Sequence, residues 1–443
     1  MNYNDCMIVT SGAIEETPAT FKRYWNHQTP ILIADQNTWE AAGKALFEIF
    51  SRKGYRDTKI FIFDDVEPVY GDDIHIARIR AVLEGNDLVA VAVGSGTIND
   101  IVKRASYECG KAYMVVATAP SVDGYTAFGS AIAVEGFKTT LPCNPPVAVI
   151  ADLDILCKAP YLMIASGYGD LAAKVPAGAD WKIADIVGIE PIHRQSWDIV
   201  QSPLRTRLSN PEKLALRDPK AIEGLFLGLA QVGYAMQLYQ DSRPASGAEH
   251  MMSHVWEMEH VKIHGQSPSH GFKVAIGTLA VTAFITEFAA LSATQISDAC
   301  THAKNISWGE REHQIHQLFS EPKSRAAALE VGKDKFLEGQ NLGKRREDIV
   351  SNWTAIVQAI EEQIIPFKQL KEMFVSAGCP LQPAEIGLDK ESFIRGFYKA
   401  QLIRTRYTVF DAAYDCGLFD RLVQAVSGGH TYFESYLKEL EKS

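Results

Sequence analysis

Three well-separated positions carry the side chains from which an open metal site is made. Asp170 stands in Ala165-Ser166-Gly167-Tyr168-Gly169-Asp170-Leu171, His250 in Ser246-Gly247-Ala248-Glu249-His250, and His270 in Ser269-His270-Gly271. One carboxylate and two imidazoles suit a borderline divalent cation such as zinc, nickel or ferrous iron, and leave a coordination position for substrate or water. A second chemical feature is Val93-Gly94-Ser95-Gly96-Thr97-Ile98-Asn99-Asp100, between the strand-like run Leu88 to Val93 and a helical apolar spacing from Ile98 to Lys111. Glycines there let backbone amides approach an anion, and the helix start that follows adds a favourable dipole. The run is neither the full dinucleotide fingerprint nor the triphosphate loop ending in Lys-Ser/Thr, and a strand-to-helix turn with no ligand uses the same residues.

Each candidate also has a plainer role. His250 and His254 are four apart and share one helix face. The zinc-protease motif has that spacing but needs a glutamate directly after the first histidine, where Met251 stands, so protease chemistry is disfavoured. An isolated histidine pair on a helix is commonly an exposed or internally satisfied one; the company of Asp170 and His270 is what makes it a ligand candidate. His260 and His264, just before Gln266-Ser267-Pro268-Ser269, read as surface residues or as residues behind the ligands. Asp170 precedes Leu171-Ala172-Ala173-Lys174 and reads as a helix cap, a role compatible with ligation; Lys174 meets either a phosphate or solvent. Asp123-Gly124 is a turn signal, in the kind of loop where binding residues concentrate. Asp35, ending Ile31-Leu32-Ile33-Ala34, has two open readings. It bonds a ribose hydroxyl, which would favour NAD over NADP by repelling a 2′-phosphate, or it caps the helix starting near Asn37-Thr38.

Taken together, Gly94-Ser95-Gly96 with Asp100, Thr118-Ala119-Pro120-Ser121 followed by Asp123-Gly124, the Gly167-to-Asp170 segment, and Ser246-to-His250 with His254 resemble a known family. It is that of the metal-dependent, so-called iron-containing alcohol dehydrogenases, and within it the glycerol-1-phosphate dehydrogenases. The resemblance implies that Asp170, His250 and His270 hold one divalent metal, zinc first and nickel or ferrous iron next. It implies that Asp123 and His254 touch the substrate and serve catalysis, and that Gly94, Ser95, Gly96, Thr97, Asp100, Thr118 and Ser121 hold NAD, or NADP. The implied reaction interconverts dihydroxyacetone phosphate and sn-glycerol 1-phosphate by hydride transfer. One position departs from the pattern: Ala127 stands where archaeal members carry a serine, which puts one nicotinamide contact in question. Rival readings are a polyol dehydrogenase with the same metal ligands, a cyclase of the dehydroquinate synthase type, and a catalytically silent nucleotide-binding protein. The cyclase would need a basic cluster that the sequence does not display, and a silent descendant would be free to lose a ligand.

The elements that must position these residues change character along the chain. Ile31 to Asp35, Lys59 to Phe63, Leu88 to Val93, Met114 to Thr118 and Val147 to Asp152 read as short buried strands. Thr38 to Arg52, Asp72 to Glu84 and Ile98 to Lys111 read as the helices between them, and Phe128 to Thr140 as a hairpin. This predicts an α/β dinucleotide-binding domain with a parallel sheet over residues 1–157, its ligand beyond the carboxyl ends of the strands, where Asp35, Gly94 and Thr118 fall. Residues 158–443 predict an all-helical metal- and substrate-binding domain, with helices at Ala221 to Tyr239, His250 to His260, Phe272 to Leu291, Glu310 to Phe319, Ile349 to Phe374 and Lys390 to Leu402. Lys335 to Asp348, rich in charge and glycine, reads as a solvated helix end or loop.

Composition agrees with two domains and narrows the partners. A chain of 443 residues exceeds the size at which one core stops growing. A net charge of -10 argues against nucleic acid or an anionic membrane as partner, while leaving room for a local basic pocket. Seven cysteines without CxxC spacing read as reduced thiols, and Met1 to Ala13 lacks the pattern of a signal peptide. The apolar stretch from Val274, bounded by Lys273 and Glu287, is shorter than a bilayer span and reads as a buried helix. The expectation is a cytoplasmic homo-oligomer acting on a small phosphorylated triose or glycerol, without nucleic-acid partners or membrane insertion.

Overall fold

The computed structural model describes residues 7–26, 28–65, 69–134 and 137–428. Short runs of β-branched and other apolar residues form a six-stranded parallel sheet: β1 (Met7–Thr10), β2 (Thr29–Asp35), β3 (Lys59–Phe63), β4 (Leu88–Gly94), β5 (Met114–Ala117) and β8 (Ala148–Asp152), in the order β1-β8-β5-β4-β2-β3. The register pairs Ile31 with Ala90, Ile33 with Phe61, Gly94 with Ala117 and Thr10 with Asp152. Asp35, Gly94 and Thr118 therefore fall along one carboxyl edge. Strand β1 was not expected: four residues carry little periodic signal, and only pairing with β8 defines them. The expected hairpin is β6 (Gly129–Val134) with β7 (Phe137–Pro142); its turn, 135–136, lies outside the described residues.

Helices cover the sheet because their apolar stripes match it. They are α1 (Thr17–Trp25), α2 (Lys44–Arg52), α3 (Asp73–Leu83) and α4 (Gly96–Glu108). Phe21, Leu46 and Phe50 pack on Leu32, Val91, Val93, Val116 and Ile150 in one fully buried cluster. Later come α5 (Tyr161–Ala172), α6 (Lys174–Ile186), α7 (Arg194–Leu208), α8 (Pro219–Tyr239), α9 (Ala248–Met258) and α10 (His270–Ala289). Helix α10 reaches beyond both charged residues expected to bound it. It is long and apolar enough to cross a membrane by length and composition, but 78% of its apolar window is buried inside the protein.

Two further expectations are corrected. Lys335 to Asp348 is largely helical, within α11 (Gly339–Ser351), and the single helix expected over Ile349 to Phe374 is broken into the end of α11, α12 (Trp353–Gln363) and α13 (Phe367–Ala377). The chain becomes extended at Ile364, before Pro366, whose ring removes an amide donor and crowds the preceding residue out of helical geometry. Helix α14 (Lys390–Ala400) follows as expected.

The chain divides into two compact units: Met1–Leu171 with Asp198–Ser242 and Ser376–Gly378, and Ala172–Trp197 with Arg243–Val375 and Cys379–Ser443. The first holds the parallel sheet; the described residues of the second form helices joined by turns and irregular segments, with one isolated bridge, Ile263 with Gln266. The six cysteines among the described residues form no disulfide, and Cys6 lies outside them.

Candidate active site

The glycine loop is tight before any ligand is considered. A Cβ on Gly94 would lie 2.6 Å from Ile98 Cβ, and one on Gly96 2.7 Å from Val122 Cγ2, so packing alone requires glycine at both positions. Ser95 is the N-cap of α4 in extended geometry, without a side-chain cap bond, and Thr97 lies in the first turn of α4. The Thr118 amide donates to Gly94 O at 3.1 Å, joining the ends of β4 and β5 where Thr118 and Ser121 are buried. Asp35 is a helix cap: its Oδ1 accepts from the Thr38 amide at 2.7 Å, and its own amide donates to Thr38 Oγ1 at 3.0 Å.

Residues 119–129 are clamped by groups that had no role in the sequence reading. Lys103, fully buried in α4, donates from Nζ to Gly124 O at 2.8 Å and Gly129 O at 3.0 Å, and stands 3.4 Å from Asp100. Tyr125 donates to Ala119 O at 2.7 Å, and Thr126 to Ala230 O of α8 at 2.6 Å. A lysine placed among Ile101, Val102 and Ala105 was the available signal: a cation inside an apolar stripe must find acceptors.

Asp170 is not a helix cap. It lies inside α5, near its end, and is fully buried. Gly167 explains the difference, because a Cβ there would sit 1.8 Å from Pro120 O. This glycine serves close approach rather than chain reversal. The approach lets Asp170 Oδ2 accept the Asp123 amide at 3.0 Å, fixing the carboxylate beside a candidate substrate residue. Lys174, at the start of α6, is fully buried rather than solvated.

The histidines come from α9 and α10, which cross closely at Gly277, where a Cβ would lie 2.4 Å from Glu249 O. His250 is buried in the first turn of α9, His254 follows one turn later, and His270 opens α10 with Ser269 as its cap. Ring centroids are 5.6 Å apart for His250 and His270, 6.3 Å for His250 and His254, and 6.0 Å for His254 and His270. His250 and His270 thus bring two imidazoles together within the second unit, and Asp170 stands buried in the first. Two imidazoles and a carboxylate are the donor types that suit a divalent cation with open positions. His260 and His264 are exposed in turns with positive φ, 52° and 50°.

Comparison with known proteins places this arrangement. Residues 8–160 match the family model for iron-containing alcohol dehydrogenase. Over 415 residues, 93% of each chain, this protein is 30% identical to glycerol-1-phosphate dehydrogenase [NAD(P)+] of Geobacillus thermodenitrificans. It is 34% identical over 258 residues to the enzyme of that name from Bacillus subtilis, covering 58% of this chain and 66% of the relative. The crystal structure of glycerol dehydrogenase from Schizosaccharomyces pombe aligns with a TM-score of 0.57 at 15% identity, over 99% of this chain and 92% of the other; that likeness speaks for the fold. The parallel sheet and these matches define an oxidoreductase of the iron-containing alcohol dehydrogenase type, a class to which NAD(P) and a metal are suited. Within it, the chain belongs to the glycerol-1-phosphate dehydrogenase family.

Proposed function

We propose that this protein reduces dihydroxyacetone phosphate to sn-glycerol 1-phosphate with NADH, or NADPH, and runs the reverse oxidation. The observation that carries the reading is the pairing of the His250 and His270 imidazoles, 5.6 Å between ring centroids, in a chain 30% identical to such an enzyme along its length. A divalent ion held by Asp170, His250 and His270 supplies a Lewis acid for the carbonyl oxygen being reduced; zinc, nickel and ferrous iron all suit the donors. The nicotinamide supplies the hydride. Gly94 to Thr97 offer backbone amides at a helix start to the pyrophosphate, and Asp100, Thr118 and Ser121 complete the cofactor's surroundings. Asp35, at the end of β2, favours a free ribose hydroxyl and hence NAD, a role its capping bond permits. Asp123 and His254 orient the substrate, and in this reading His254 delivers the proton that the new hydroxyl requires. Within this reading the enzyme works in the cytoplasm as a homo-oligomer, and its net charge of -10 does not suit nucleic-acid or membrane partners.

The test follows NADH absorbance at neutral pH after dihydroxyacetone phosphate is added to metal-reconstituted protein, beside unphosphorylated dihydroxyacetone and an Asp170→Asn control. Oxidation with the phosphorylated ketone alone, lost in the control, is the expected result. Preference for the unphosphorylated ketone would indicate a polyol dehydrogenase, and silence with both would defeat the dehydrogenase reading.

A further inference from the structure

Both histidines of the donor set turn Nδ1 toward a carboxylate. His250 Nδ1 lies 2.8 Å from Glu249 Oε1, and His270 Nδ1 lies 2.9 Å from Glu257 Oε1. An ionised carboxylate only accepts, so each Nδ1 is the donor and Nε2 is the nitrogen left to ligate a metal. We propose that Glu249 and Glu257 are positioning residues that hold both imidazoles in the Nε2-ligating tautomer and thereby set the affinity of the metal site. The proposal rests on the reading of Asp170, His250 and His270 as metal ligands.

The two carboxylates are themselves held, by different means. Glu249 is fully buried, and its Oε1 also accepts the Gly247 amide at 2.8 Å. Beside it, Asp180 accepts the Ala248 and Val409 amides, each at 2.8 Å, at the starts of two helices. A Cβ on Gly247 would lie 2.5 Å from Asp180 Oδ2 and 2.8 Å from Glu249 Oε2, so the pocket has no slack into which Glu249 could rotate. Glu257, two turns after Glu249 near the other end of α9, is held by an ion pair: Lys273 Nζ stands 3.4 Å from its Oε1, and His254 Nδ1 lies 3.9 Å from its Oε2. Packing thus fixes one imidazole and an ion pair the other. Carboxylate partners of this kind orient metal-bound histidines and raise their basicity.

The experiment titrates apo-protein with Zn2+ against a chromophoric chelator for wild type, Glu249→Gln, Glu257→Gln and, as control, His264→Gln. It adds apo-protein melting curves and the visible absorption of the Co2+-loaded forms. Either glutamine substitution is expected to weaken Zn2+ binding by roughly 10- to 100-fold and alter the Co2+ bands, while His264→Gln leaves both unchanged. Melting curves identify folded variants; should buried Glu249→Gln fail to fold, Glu257→Gln decides alone. Tight wild-type binding with folded variants of unchanged affinity would overturn the positioning role and leave the ligand assignment standing. A wild type that binds no Zn2+, Ni2+ or Fe2+ would instead remove the ligand assignment, and the proposal with it.

Discussion

His254 shares the face of α9 with His250, their ring centroids 6.3 Å apart, yet in the proposed mechanism it serves the substrate rather than the metal. His254→Asn is expected to keep one bound metal per chain, measured by elemental analysis, and to lower kcat/KM by roughly 10²- to 10⁴-fold, the range of a lost proton-transfer group. Loss of the metal in this variant would return His254 to the ligand set. Asp35 shows how one residue serves two readings: its cap bonds are plain in the structure, and a cap at a strand's carboxyl end is compatible with the proposed ribose contact.

At the scale of elements, glycines decide how closely backbones meet. Gly167 in α5 lies against Pro120 O, whereas Gly224 in α8 has nothing within 4 Å of its missing Cβ. Gly167→Ala is expected to cost about 1–3 kcal/mol in urea unfolding, because a methyl group is forced into a full contact. The same variant should weaken metal binding, since the displaced α5 carries Asp170. Gly224→Ala should be neutral or stabilising by up to about 1 kcal/mol, as alanine favours a helix interior. Equal effects of the two substitutions would refute the close-approach role. Lys103 works at the same scale, tying two carbonyls of the loop that follows Asp123 to α4.

The whole molecule carries a pH dependence built from buried carboxyls. Burial first, then the neighbouring Asp411, raises Asp415 from 3.8 to about 7, against the opposing pull of Arg345. Burial and Glu249 raise Asp180 to about 7 as well. The unfolded chain releases these protons near 3.8 and the folded one near 7, so between those values the folded state holds more protons. Apo-protein stability therefore falls as pH rises from about 4 to about 7, then levels. Exposed carboxylates held low by hydrogen bonds, such as Glu310 and Asp389, lose their contribution only in more acidic solution. Urea unfolding between about pH 5 and pH 7 should show a shallower decline for Asp415→Asn than for wild type; parallel slopes would show that Asp415 titrates normally.

Residue order alone is enough for five of the sheet's six strands and the helical character of the rest, and it singles out Asp170, His250, His270 and the glycine loop as candidates. These are local or compositional signals: alternation of strand and helix, buried apolar runs, and residue types with few other uses. Tertiary structure decided what depends on which backbone comes near. It paired Met7–Thr10 with β8, carried α5 through Gly167 and Gly169, and put carboxylates behind His250 and His270. It also grouped Asp198–Ser242 with the sheet. No local propensity encodes such neighbours, because a glycine written for close approach and one written for a turn are the same letter until the opposing atom is in place.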